Sequence, residues 1–189
     1  MTLGSRAALV VIDVQQGLDD PRYGTRNNPG AEQRIAALLA SWRATGGPII
    51  HVQHLSLRPD SPLREAAPGH GFKVEALPRA GEPIFQKHEN SAFIGTALEA
   101  HLRNHGIERL IMVGLTTDHC VSSTARMAAN LGFSVTVVED ATATFDRQGP
   151  DGTHYSAELM HGTTLASLEG EFAAVRRTAE ILAGAEAPR

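Results

Sequence analysis

Apolar, β-branched segments alternate along the chain with segments whose apolar residues recur at helical spacing. The predicted strands cover residues 7–13, 48–53, 83–87, 109–114, 133–139 and 171–175. The first predicted helix has an apolar stripe formed by Ile35, Leu38, Leu39 and Trp42, and it ends at 46–48. Further helices are predicted over 95–105, 118–131, 156–168 and 176–182. Such alternation is typical of parallel strands buried on both faces. The pattern predicts a three-layer, doubly wound α/β fold with a mostly parallel six-stranded sheet, flanked by helices in one domain over residues 1–189.

Two segments break this regular pattern. Residues 54–82 contain repeated prolines and glycines, which exclude long helices or strands and predict an excursion across the surface. Residues 146–154 form a second turn-rich loop. Because long loops on a rigid framework often carry binding residues, we expect both segments to contribute to ligand specificity.

Composition narrows the class of protein. Of 189 residues, 42% are apolar, and 17 basic and 21 acidic residues are mixed along the chain to give a net charge of −4. The longest apolar run, 7–12, is far too short to span a bilayer. We therefore expect a cytoplasmic protein that binds neither nucleic acid nor membrane. The single cysteine, Cys120, excludes an intrachain disulfide and a cysteine-based zinc site, which leaves either an inert core thiol or a nucleophile.

Three chemically complementary residues follow three predicted strands: Asp13, Lys87 and Cys120. The carboxyl ends of parallel strands meet at one edge of the sheet. A thiol, a carboxylate that accepts its proton and a cation that favours the thiolate form a complete set for nucleophilic catalysis. Each residue also has an explanation without catalysis. Asp13 could form a turn, Lys87 could be solvated, and Cys120 could be a buried thiol that only fills space in the core. Asp118, near Cys120, could simply cap a helix.

Four segments resemble the isochorismatase-like cysteine hydrolases, which include nicotinamidases and N-carbamoylsarcosine amidohydrolases. They are VVIDVQQG at 10–17, KHENSAF at 87–93, VGLTTDHCVSSTARMAANLGFSV at 113–135 and EDATATF at 139–145. The resemblance implies that Asp13 is the general acid and base, Lys87 the electrostatic member and Cys120 the nucleophile. It also implies a cis bond between Leu115 and Thr116, with the backbone N–H groups of Thr116 and Cys120 forming an oxyanion hole.

The implied reaction is hydrolysis of an amide, ureide, carbamoyl or lactam C–N bond through a thioester. Two alternatives remain: an isochorismatase-type hydrolase of another small substrate, and a catalytically silent binding or scaffold member of the fold. The family's frequent oligomers imply a homo-oligomer, a dimer or tetramer, whose neighbouring subunit could complete the pocket.

No metal or other cofactor is expected. Some relatives bind zinc through an Asp-x-His after the second strand, but here 53–57 reads QHLSL, with His54 and Ser56 at those positions. His51 and His54 are an odd number of residues apart and should face opposite sides of a strand. Nucleotide-binding and serine-hydrolase motifs are absent from the sequence.

Four residues near the predicted triad are candidates for substrate binding. They are Gln15, His54, Phe93 and His119. Gln15 could instead contact Asp13, and ordinary packing or loop hydrogen bonding would explain all four equally well.

Overall fold

The computed structural model describes residues 7–186 as alternating strands and helices. The strands are β1 (Ala7–Ile12), β2 (Ile49–His54), β3 (Ile84–Lys87), β4 (Arg109–Leu115), β5 (Ser134–Ala143), β6 (Arg147–Gln148), β7 (His154–Tyr155) and β8 (Ala174–Arg176). The helices are α1 (Ala31–Thr45), α2 (Leu98–Asn104), α3 (Ser122–Asn130), α4 (Ala157–Leu168) and α5 (Thr178–Glu186). A π-helical turn, Thr117–Val121, leads into α3.

Six strands form one parallel sheet in the order β3–β2–β1–β4–β5–β8. The chain builds outward from β1 to β3 in one direction and from β4 to β8 in the other. The order of the strands therefore reverses between β1 and β4. In open sheets of this kind, ligands bind at the carboxyl ends of the strands beside this switch point.

Helices cover both faces of the sheet because successive residues of each strand point to opposite sides. In β1, Leu9 and Val11 join an apolar cluster with α1 and α5, whereas Val10 and Ile12 pack with α2, α3 and α4. The stripe predicted for α1 is buried in the first of these clusters. The predicted three-layer, doubly wound fold is therefore confirmed.

Some element boundaries differ from the sequence prediction. The helix predicted over 118–131 is divided into the π-helical turn and α3, and the amide of Val121 bonds the carbonyl of Thr116 at 3.1 Å. The helix predicted from Gly95 begins only at Leu98, because Gly95 has a φ of +69°. Strand β5 continues to Ala143, four residues further than predicted. The last strand, β8, lies at 174–176 rather than 171–175.

The two irregular segments are held by polar contacts. The 54–82 excursion contains only short 3₁₀ turns, at 68–70 and 74–76, as its composition predicted. Its Lys73 ammonium lies 2.5 Å from Asp19 and 2.7 Å from Glu32, which fastens the excursion to the body of the domain. The 146–154 loop is not irregular throughout, since β6 and β7 pair as a small antiparallel hairpin. No helix within residues 7–186 has the length and apolar character needed to cross a membrane.

Candidate active site

The three residues predicted from the strand ends meet at one point. Asp13 follows β1, Lys87 closes β3, and Cys120 lies in the π-helical turn after β4. The ammonium nitrogen of Lys87 is 2.6 Å from Asp13 Oδ2 and 3.2 Å from Cys120 Sγ. Lys87 thus joins the carboxylate and the sulfur beside the switch point of the sheet.

Close packing of β1 against β4 sets the position of Asp13. Ile12 is paired with Gly114, whose φ is +120°. A Cβ at Gly114 would lie 2.0 Å from the carbonyl oxygen of Ile12, so only glycine fits there. Asp13 itself has a φ of +51°, which turns the chain out of β1 at the carboxylate. Aspartate is among the residues that tolerate this conformation.

Burial and charge decide the protonation of the site. Asp13 and Lys87 are each about 1% exposed. Burial opposes the charge of Lys87, but the Asp13 carboxylate, with the sulfur of Cys120 as a second hydrogen-bond acceptor, outweighs this effect and raises the pKa of the lysine. Burial, and next the Asp13 carboxylate, raise the pKa of Cys120 well above its ordinary value, against the opposing effect of Lys87. The sulfur therefore rests as a neutral thiol beside an ion pair.

His54 supplies the third partner of the Lys87 ammonium. Its Nδ1 lies 3.0 Å from Lys87 Nζ. Burial first, and then the charge of Lys87, lower the pKa of His54, so the ring is neutral and Nδ1 accepts the hydrogen bond. His51 faces elsewhere, as predicted, and its Nε2 lies 2.8 Å from Glu82.

The side chain of Gln15 forms hydrogen bonds with the backbone of His54. Its Oε1 accepts from the His54 amide at 2.9 Å, and its Nε2 donates to the carbonyls of His54 at 3.1 Å and His70 at 2.9 Å. Gln15 is fully buried. Both ends of its amide are thus engaged by backbone, and this geometry favours a structural role over the substrate contact that the sequence suggested.

The polar cluster suits a lysine better than a metal ion. Asp13, His54 and Cys120 offer ligand atoms within 4.8 Å of one another. The Lys87 ammonium, however, already lies within 3.2 Å of an atom of each. Its three N–H groups match the three acceptors, so the positive charge that a metal would bring is supplied by the chain itself.

The remaining sequence candidates, Phe93 and His119, differ in their burial. Phe93 is half-buried and stacks on Phe133 at the edge of the apolar cluster that Cys120 also touches. The His119 side chain is 56% exposed. Sequence reasoning missed Asn90, whose Oδ1 lies 3.7 Å from Cys120 Sγ. The signal was available, because Asn90 is polar and follows Lys87 by only three residues.

The turn that carries Cys120 is stabilised by hydrogen bonds within the turn and by contacts of Asp118 with residues 144 and 147. The Leu115–Thr116 peptide bond is cis, and the carbonyl of Thr116 accepts from the amides of His119 and Val121 at 3.2 and 3.1 Å. Asp118 does not act as the simple helix cap that the sequence suggested. Its carboxylate bonds the Thr144 hydroxyl and lies 3.0 Å from Arg147 Nε. Burial opposes ionisation, but Thr144, His119 and Arg147 together lower the pKa of Asp118.

Comparisons with known proteins agree with this architecture. Residues 7–180 match the model of the isochorismatase domain. The isochorismatase family protein YrdC of Bacillus subtilis is 40% identical over 177 residues, which cover 94% of this chain and 95% of that protein. The crystal structure of an isochorismatase-family protein from Chromobacterium violaceum is 47% identical with a TM-score of 0.94, over 98% of this chain and 96% of that one. N-carbamoylsarcosine amidase from Thermoplasma acidophilum superposes with a TM-score of 0.73 at 26% identity, over 92% and 97% of the two chains. This chain therefore belongs to the isochorismatase family of hydrolases.

Proposed function

We propose that this protein hydrolyses a small amide-type C–N bond, in an amide, ureide, carbamoyl compound or lactam, through a thioester on Cys120. The observation that carries the proposal is the Lys87 ammonium within hydrogen-bonding distance of both Asp13 and Cys120. A binding protein has no need of a buried thiol, carboxylate and ammonium in mutual contact. The likeness to N-carbamoylsarcosine amidase supports a C–N bond as the target.

The first step is activation of the thiol. Because the pKa of Cys120 is raised, the sulfur must lose its proton as it attacks rather than beforehand. Asp13 is the acceptor, and its Oδ1 is buried without a hydrogen-bond partner among the described residues. Lys87 offsets the negative charge while the proton moves from sulfur to carboxylate. Two opposing charges around one thiol thus keep it neutral at rest and allow it to react.

The sulfur then bonds to the carbonyl carbon of the substrate. The carbonyl oxygen gains the negative charge, which the backbone N–H groups of Thr116 and Cys120 are proposed to stabilise. Asp13 returns the proton to the nitrogen, the C–N bond breaks and ammonia or an amine leaves. Asp13 then accepts a proton from water as the water oxygen bonds to the thioester carbon. The C–S bond breaks, the acid leaves, and Asp13 passes the proton to the sulfur to restore the thiol.

Substrate selection is assigned to the residues that surround the sulfur. We propose Asn90, Phe93 and His119 for contact with the substrate. Asn90 lies 3.7 Å from the sulfur, Phe93 packs on the same apolar cluster as Cys120, and His119 precedes Cys120 with an exposed imidazole. His54 acts through Lys87, because its ring accepts a hydrogen bond from that ammonium.

The test is a screen of purified protein against small primary amides, ureides, carbamoyl compounds and lactams, with release of ammonia or amine as the readout. On the substrate found, Cys120→Ala and Asp13→Asn should each abolish turnover. Cys120→Ala should keep a native circular dichroism spectrum, whereas Asp13→Asn leaves Lys87 without its counter-charge and is assayed well below its own melting temperature. Glu171→Gln removes an exposed carboxylate outside both loops, is the matched control and should retain activity. Mass spectrometry of the quenched reaction should find the acyl group on Cys120. Turnover by the alanine variant at the wild-type rate would overturn the proposal.

A further inference from the structure

A buried histidine outside the catalytic cluster contacts the turn that carries the nucleophile. His161, on α4, is only 7% exposed. One ring nitrogen, Nδ1, lies 2.9 Å from the hydroxyl of Thr117, which is fully buried and is the first residue of the π-helical turn. Thr117 precedes Cys120 by three residues, so this contact reaches the nucleophile through less than one turn of backbone.

The other ring nitrogen faces a second anchored residue. His161 Nε2 lies 3.4 Å from Asn28 Nδ2. Asn28, with a φ of +44°, donates to the carbonyls of Glu139 at 2.9 Å and Thr142 at 2.8 Å in β5. His161 therefore lies between the end of β5 and the nucleophile turn, and its contact with Thr117 at 2.9 Å is the closer of the two.

The turn needs such support because of its geometry. A π-helical turn is rare, and its hydrogen bonds span one residue more than those of an α-helix. The competing conformation is an α-helix that would extend α3 back through the turn. A rigid external contact at Thr117 opposes that conformation. Since a threonine hydroxyl both donates and accepts, the contact with His161 forms in either neutral tautomer of the ring.

We propose that His161 is a positioning residue, which acts through the Thr117 hydroxyl to hold Cys120 Sγ in reach of Asp13 and Lys87. This inference rests on the proposed role of Cys120 as the nucleophile. Displacement of a reacting atom by about 1 Å lowers a rate by as much as 100-fold. Loss of the contact should therefore lower the rate of acylation far more than the affinity for the acyl donor.

The experiment measures single-turnover acylation with p-nitrophenyl acetate as the probe. The Cys120 sulfur bonds to the acetyl carbon, the ester C–O bond breaks, p-nitrophenolate leaves and the thiol proton passes to Asp13. Peptide mass spectrometry locates the acetyl group, and an adduct on Cys120 should be missing from Cys120→Ala, because the chain has no other cysteine. Saturation with the probe separates the maximal rate from the concentration at half-maximal rate.

Paired variants distinguish positioning from packing. Thr117→Val keeps the shape of threonine without its hydroxyl, whereas Thr117→Ser keeps the hydroxyl. His161→Leu removes both ring nitrogens, whereas His161→Asn keeps a polar group close to the position of Nδ1. Thr164→Val is the matched control on α4, since its hydroxyl bonds the carbonyl of Met160 in the same helix.

We expect Thr117→Val and His161→Leu to lower the maximal acylation rate about 10- to 100-fold with little change in half-saturation. The maximal acylation rate should stay within roughly threefold of wild type in Thr117→Ser, His161→Asn and Thr164→Val. The double variant Thr117→Val/His161→Leu should be no slower than either single variant, because both substitutions remove the same contact. Wild-type rates in natively folded Thr117→Val and His161→Leu would overturn the inference. So would equal losses in the valine and serine variants.

Cys120→Ala separates failure of this inference from failure of the proposed function. If Cys120→Ala releases p-nitrophenolate as fast as wild type, the proposed nucleophile is wrong. The placement of the sulfur is then judged by iodoacetamide alkylation of Cys120 in the Thr117 pair. Equal alkylation rates in Thr117→Val and Thr117→Ser would overturn the inference independently.

Discussion

The ammonium of Lys87 lies 2.6 Å from the Asp13 carboxylate, although 74 positions separate the two residues in the chain. Both are almost completely buried, so neither charge has water as an alternative partner. Removal of one partner from such a pair leaves an uncompensated buried charge, which costs about 3–5 kcal/mol. The pair is therefore part of the fold as well as of the proposed chemistry.

Lys87→Met should lower the free energy of unfolding by about 3–5 kcal/mol and abolish turnover, because Asp13 loses its counter-charge. Asp13→Asn/Lys87→Met should be less destabilised than Lys87→Met alone, since no unpaired charge remains, yet equally inactive. Denaturant unfolding and amide turnover on the same preparations check both statements. A double variant as unstable as the single one would contradict the ion pair as the cause.

Alkylation of Cys120 should be slow at neutral pH and should keep rising in alkali. Burial and the Asp13 carboxylate raise the thiol pKa, so the reactive thiolate is scarce at pH 7. The iodoacetamide rate of the folded protein should increase about tenfold per pH unit beyond pH 9, where an ordinary thiol already levels off. The same chain unfolded in urea is the control. A folded-state rate that levels off below pH 8 would refute the raised pKa.

Glu32 should contribute stability that is lost in acid. Burial opposes its ionisation, but hydrogen bonds from Arg26 and Lys73 lower its pKa to about 2, against 4.5 unfolded. Because the folded-state pKa is the lower one, the stabilisation is complete above pH 4.5 and disappears as the pH falls through about 2. Its full size is roughly 3 kcal/mol. Glu32→Gln should lower the free energy of unfolding by this amount at pH 7, and that free energy should then depend less on pH between 5 and 2. Urea unfolding measures both effects. The control, Glu65→Gln at an exposed position, should show neither.

Gly114→Ala should prevent folding or lower stability by more than about 4 kcal/mol. The added Cβ would lie 2.0 Å from the carbonyl oxygen of Ile12, and the φ of +120° disfavours any side chain. Gly162→Ala is the matched control inside α4, where an added Cβ meets no atom within 4 Å. It should stabilise the protein by about 0.5–1 kcal/mol. Thermal unfolding compares the two, and a stable, active Gly114→Ala would show that β1 and β4 can separate without loss.

Turnover should survive removal of divalent metals. The acceptors of Asp13, His54 and Cys120 already surround the Lys87 ammonium. Dialysis against a chelator should leave both the rate of amide hydrolysis and the melting temperature unchanged. Activity that disappears on dialysis and returns with added zinc would contradict this prediction.

The sequence by itself determined the layers of the fold and the three residues at the strand ends. Strand and helix periodicities are local properties, so the buried strands and the stripe at Ile35, Leu38, Leu39 and Trp42 could be read without coordinates. In a parallel sheet the carboxyl ends share one edge, which was enough to bring Asp13, Lys87 and Cys120 together.

Only the tertiary structure decided how that edge is built. A π-helical turn occurs mostly as a single irregular turn within a helical stretch, so helical periodicity alone did not mark the division at Thr117–Val121. His161 lies 44 positions from Thr117, and His54 lies 33 from Lys87. No local pattern encodes such pairs, because they form only when separate loops fold over the same strand ends. The direction of the Cys120 pKa shift could not be decided from the sequence either. The opposing charges of Asp13 and Lys87 were known, but the burial that raises the pKa follows only from the tertiary structure.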